Sequence, residues 1–193
     1  MASDNDNLDH NIMVGFVDLY ETKNHDGYLA AILVTDSQGV PKEFRCTHPV
    51  KPTVLQKPLY GDTLEPHIGV ELCGIPLVHS VQNKPSLIIV RKEFLSGIRK
   101  GCDIAVIFLR PAGEPINITE SDSSGSRLQR DEVKSPTGKF QPIVLISHAD
   151  FEDDARKVRG KVEKLFANFN LLEPFERMTK SVELLTEQDQ RFQ

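Results

Sequence analysis

Apolar positions along this chain follow two different spacings, and the change from one to the other divides it. Over residues 12–20 (IMVGFVDLY) and 28–35 (YLAAILVT) apolar side chains fall on consecutive positions, so both faces of each segment are apolar. That pattern predicts strands in the interior of a sheet. Asp36-Ser37-Gln38-Gly39 follows. An Asp that can accept backbone N–H groups and a Gly that tolerates positive φ predict a hairpin there. In the next segment, 40–47, Pro41 removes a ladder donor, and charges alternate through Lys42, Glu43 and Arg45, as suits an edge strand. Shorter apolar runs at 86–90, 102–109 and 143–146 predict three further strands.

Helical spacing appears first between the prolines at 49, 52, 58, 66 and 76. Asp62 and Glu65 suit a capping box, Pro66 is tolerated in a first turn, and Leu64, Ile68 and Leu72 would share a face until Gly74 and Pro76 stop the helix. A short helix over 92–100 is closed by Gly101. From Asp150 the period is clearly helical: Phe151, Ala155, Val158, Val162, Leu165 and Phe169 step by four, three, four, three and four. Pro174 opens a second helix whose apolar residues are Phe175, Met178, Val182 and Leu185. The order is thus βββ-α-β-α-β-(long loop)-β-α-α, a mixed α/β (α+β) fold with an approximately six-stranded mixed sheet and a C-terminal helical pair.

This divides into a disordered tail over 1–11, a mixed-sheet domain over 12–148, and a helical pair over 149–193 packed on the same domain. Within the sheet domain, 111–139 carries Pro, Gly and Ser with scattered apolar residues, and reads as a mobile insertion.

Composition narrows the function classes. Hydrophobic residues make up 39% of the 193, and 23 basic residues face 28 acidic ones for a net charge of −5. A general nucleic-acid coat would be basic, so nucleic acid is the less favoured partner and a local basic face is what it would require. Three widely spaced cysteines do not make a disulfide framework. The longest apolar run, 104–109, is far below membrane-spanning length, and the first residues carry no secretory pattern. A cytoplasmic chain without membrane attachment is expected.

Five constellations could carry chemistry. First, the element order echoes the ribonuclease H-like arrangement, which places acidic residues on the first strand, the following helix and the fourth strand. Asp18 and Glu65 or Glu71 fill the first two places, but the fourth strand ends in Val90-Arg91-Lys92, basic where a metal site needs oxygen donors. Second, Cys46 with His48 and Cys73 with His79 lack the tight pairing of structural zinc ligands. Third, Ser147, His148 and Asp150 lie where a strand meets the long helix; without a nucleophile elbow, they read as helix caps, with Asp150 as N-cap. Cys102 and His148 would meet only if their strands pair. Fourth, no phosphate-cradling glycine motif occurs. Fifth, Arg156, Arg159 and Lys164, with Lys157 and Lys161, form a basic helix face that could hold phosphates, or simply a solvated surface with local ion pairs.

No metal or cofactor is expected. The absence of catalytic motifs, the long insertion and the helical end favour a non-catalytic interaction module: an adaptor or regulatory subunit that binds another protein chain in a hetero- or homo-oligomer. Phe175, Met178, Val182 and Leu185 would be its anchors. The rival reading is a divergent metal-dependent nuclease or nucleic-acid-processing domain using Asp18, Glu65 and Glu71.

Overall fold

The computed structural model describes residues 12–113 and 130–192. Seven strands form one mixed sheet in the order β3-β2-β1-β4-β5-β7-β6. They are β1 (Val14–Glu21), β2 (Tyr28–Thr35), β3 (Pro41–Cys46), β4 (Leu87–Val90), β5 (Val106–Pro111), β6 (Arg130–Val133) and β7 (Ile143–Ser147). β1, β2 and β3 are successively antiparallel, β4 and β5 run parallel to β1, β7 pairs antiparallel with β5, and β6 pairs antiparallel with β7. The mixed α+β architecture is the expected one, with one strand more.

That strand, β6, falls inside the stretch read as a mobile insertion. Its sequence, Arg-Asp-Glu-Val, carries a single apolar residue, Val133, which is buried against the core. A charged outer face is how an edge strand avoids further pairing, and it also hides the strand from a hydrophobicity pattern. Residues 1–11 and 114–129, the expected tail and the middle of the expected insertion, lie outside the described residues.

The β2–β3 hairpin forms as its sequence predicts. Gly39 has φ +78°, and the Asp36 carboxylate accepts the N–H groups of Gln38 and Val40 at 2.9 and 3.0 Å. This tip docks on the C-terminal helices: the Asn168 amide donates to Ser37 O at 2.9 Å and Arg177 to Gly39 O at 3.0 Å.

Helices cover both faces of the sheet. One face is packed by the crossover between β3 and β4, which consists of α1 (Gln56–Tyr60), α2 (Leu64–His67), a π-helical turn (Ile68–Gly74) and α3 (Ile75–Ser80). The sequence expected the helix to stop at Gly74 and Pro76 and to bury Leu72. Instead it continues to Ser80, and Leu72 is 49% exposed. The π turn explains both: its wider winding accommodates a proline that has no N–H to give, and it rotates the inward face onto Val70, Cys73, Leu77 and Val78. Close packing holds it there. A Cβ on Gly74 would stand 2.6 Å from Gly69 O and from Ile98 Cδ1, so only glycine lets the turn approach the 3-10 segment Glu93–Gly101 that leads from β4 to β5.

The other face is covered by α4 (Asp154–Asn168) and α5 (Glu173–Gln188). Ala155, Val158, Val162, Leu165 and Phe166 of α4 are buried with Phe175, Met178 and Val182 of α5 against Phe16, Leu33 and Ile107. Phe16 meets Phe175 edge-on, with centroids 5.6 Å apart. No helix among the described residues is long and apolar enough to cross a membrane.

Candidate functional site at the end of the central strands

The parallel ladder between β1 and β4 ends at Val17↔Val90. The next residue along β1 is Asp18, and the next two along β4 are Arg91 and Lys92. Register therefore puts Asp18 level with Arg91 where two central strands part, with Lys92 the next residue on. Asp18 is only 6% exposed, and one of its oxygens accepts the Leu19 N–H at 2.8 Å. Burial raises its pKa above the ordinary carboxylate value, outweighing that hydrogen bond and the nearby charges of Lys92 and Arg91; Glu65 pushes it up further.

Glu65 reaches the same place from α2. Its carboxylate lies 2.7 Å from the Lys92 ammonium, which also sits 5.7 Å from the centre of the Phe94 ring. Tyr20, two residues beyond Asp18 and so on the same face of β1, has a buried hydroxyl set near the Thr179 side chain of α5. Burial raises its pKa, and the Asp18 charge adds to the effect. Beside Glu65 lies an exposed apolar ridge, with Leu55 69% and Leu59 71% exposed, and the Tyr60 ring stacks on His67 at 5.1 Å.

Glu65 thus lies within electrostatic reach of Asp18 and pairs with Lys92, whereas Glu71 is left out. Glu71 lies on the π turn, exposed to solvent and opposite the buried Val70 and Cys73. Among the described residues no three His, Cys, Asp or Glu side chains are grouped to hold a metal ion. The divalent ion associated with ribonuclease H-like sites does not fit this donor set. One carboxylate is buried and resists ionisation, the other is bound to a lysine, and the fourth strand supplies Arg91 and Lys92 in place of an acid. The sequence identified those two cations only as an obstacle to metal binding. Their membership of the site, and that of Tyr20, needed the register; the spacing of two from Asp18 was the available signal for Tyr20.

The other candidates resolve into structure. Ser147 Oγ accepts the Ala155 N–H at 2.8 Å, and His148 Nδ1 accepts the Asp150 N–H at 3.1 Å. The caps are therefore Ser147 and His148, and Asp150 instead pairs with Lys100 at 2.9 Å. Burial raises the Cys102 thiol pKa, and the thiol donates toward Ile98 O and Ile104 O at 3.6 Å, a structural rather than nucleophilic environment. His79 is hydrogen-bonded to Gly101 O, and His48 stacks on Phe192. On α4, Arg156 pairs with Asp153 at 2.7 Å and Arg159 with Glu163 at 3.0 Å, so neighbouring acids offset these cations. Lys164 is exposed on the same helix.

The sequence matches no protein-family model and no curated protein. Among solved structures, it is similar to Endonuclease V from Ciona intestinalis in complex with a 23mer DNA containing an inosine, at 14% identity and a TM-score of 0.45, covering 79% of this chain and 76% of that one. Endonuclease V from Bacillus subtilis is similar at 13% identity and a TM-score of 0.45, covering 71% and 65%. Argonaute from Marinitoga piezophila in complex with a guide RNA is similar at 11% identity and a TM-score of 0.33, covering 72% and 22%. These are distant likenesses of overall architecture and transfer no residue's role.

The expectation of an adaptor or regulatory subunit is corrected. The proposed anchors belong to this chain's own core: Phe175 and Met178 are fully buried, Val182 nearly so, and Leu185 half-buried. The two earlier helical stretches cover one face of the sheet, so the other face requires both C-terminal helices, and their stripes are consumed there.

Proposed function

We propose that this chain is a nucleic-acid-processing domain of ribonuclease H-like topology, engaging a phosphodiester backbone where β1 and β4 part. The observation that carries this reading is the grouping at the end of the central ladder, where buried Asp18 stands level with Arg91 and within electrostatic reach of the Glu65–Lys92 pair. An open sheet commonly places its ligand beyond the carboxyl ends of its parallel strands, and this grouping lies there. Arg91 and Lys92 are charges that a phosphate can meet, and the exposed ridge around Tyr60 is a surface on which unpaired bases can stack. The overall charge of −5 is compatible with a local basic site and predicts modest, salt-sensitive affinity.

Fluorescence anisotropy of labelled single- and double-stranded DNA and RNA, titrated with the full chain at several salt concentrations, tests the reading. Binding should weaken as salt rises and be reduced in Arg91→Glu, and Tyr60→Ala should cost about 1–3 kcal/mol on single strands. No binding to any of these nucleic acids at low salt would overturn it.

A further inference from the structure

We propose that the Lys92 ammonium is the fixed cation of this site, standing where a divalent ion would otherwise join carboxylate to phosphate, so that the domain grips a nucleic-acid backbone without metal. This rests on the nucleic-acid reading above and extends it to how the phosphate is held.

The geometry is specific. Lys92 Nζ lies 2.7 Å from Glu65 Oε1 and 5.7 Å from the Phe94 ring centre, so carboxylate and aromatic face fix the ammonium from two sides. An ammonium has three N–H donors, and the Glu65 contact uses one. The side chain remains 36% exposed, which leaves donors accessible to a phosphate oxygen from solvent. Arg91, adjacent and exposed, adds a planar donor set suited to the same phosphate.

The charge balance points the same way. A divalent ion needs oxygen donors with negative charge that is not already neutralised. Here Glu65 is already paired with Lys92, and Asp18 lies within electrostatic reach of both Lys92 and Arg91. Burial raises the Asp18 pKa, the direction that disfavours its charged form. A metal entering would have to displace Lys92 from Glu65 and reach a carboxyl that is only 6% exposed. A phosphate need do neither.

The test measures binding of single-stranded and duplex oligonucleotides to the full chain in EDTA, in magnesium and in manganese, alongside manganese binding by calorimetry and gel analysis of the oligonucleotides. The expected result is equal affinity with and without metal, no heat from manganese and no cleavage. Lys92→Gln should weaken binding roughly tenfold or more and lower the salt slope by about one, whereas Lys92→Arg keeps most of the affinity. Circular dichroism checks that both variants fold. Lys92→Asp, which places a third carboxylate at the site, should acquire manganese binding that the wild type lacks. Binding that requires metal, or cleavage in magnesium or manganese, would overturn this inference while leaving the nucleic-acid reading intact. So would metal-independent binding that Lys92→Gln leaves unchanged in a folded protein. Absence of binding in every buffer would overturn both.

Discussion

Asp18 combines deep burial with a charge-bearing group, and Asp18→Asn isolates that combination. The side chain is 6% exposed, and the hydrogen bond it accepts from the Leu19 N–H would be accepted equally well by an asparagine carbonyl. The substitution therefore changes charge and little else. In the unfolded chain the carboxyl titrates near its ordinary value of 3.8; in the fold burial raises it, against the pull of Lys92 and Arg91. The native state then holds the proton to higher pH than the unfolded state does. Stability falls as pH rises from the unfolded value to the folded one, and stays lower above it. Each unit of separation between the two values is worth about 1.4 kcal/mol.

Asparagine has no proton to lose, so the variant should match the wild type in acid and exceed it above the window. Urea unfolding of both proteins at intervals between about pH 3 and pH 8 gives the stability difference directly, and its plateau divided by about 1.4 kcal/mol gives the shift. The difference should grow through the window and then level off. A flat difference would show that pairing with Arg91 and Lys92 cancels burial, a variant less stable than wild type at neutral pH that it outweighs burial, and either would refute the reasoning.

Three further outcomes follow from the packing. Phe175→Ala should lower unfolding free energy by about 3–5 kcal/mol in chemical denaturation, because it empties a fully buried site packed edge-on against Phe16. Retention of wild-type stability would show that α5 is dispensable to the core. Arg99→Leu should cost about 3–5 kcal/mol in the same assay, since Arg99 is paired at 2.7 Å with Asp154, itself 6% exposed, and its loss strands a buried charge at the start of α4. Glu43 accepts the Asn83 backbone N–H, pairs with the Arg45 guanidinium, and accepts the Gln82 N–H and the Asn83 amide; together these contacts lower its carboxyl to about 2. Its contribution should be present above the ordinary value of 4.5 and vanish as pH falls toward about 2, so Glu43→Gln should lose stability near neutrality and converge with wild type in acid, as followed by thermal unfolding.

Much of the fold is legible in local pattern. The interior strands declare themselves because β1, β2 and β7 are buried on both faces and so carry uninterrupted apolar runs. The hairpin and α4 follow equally from turn chemistry and from a regular three-four spacing. Where burial is not local, the pattern misleads. β6 needs only one inward residue, and the crossover helix is rotated by a π turn that close contact between Gly74 and Ile98 imposes from a distant segment. The fate of the C-terminal stripes was likewise undetermined, since an apolar helix face must be covered but its spacing does not say by what.

The candidate site divides along the same line. The residue types were readable: an acid on the first strand, an acid on the following helix, and two cations at the end of the fourth strand. What the sequence could not express was their juxtaposition. Strand order and register bring Asp18 beside Arg91, and the seating of α2 lets Glu65 reach Lys92, so the cations become partners of the acids across intervals of 27 residues or more. Periodicity records which way a side chain faces within its own element. Which charges meet, and hence whether a carboxylate is free for a metal or already matched by a lysine, is decided only when the elements pack.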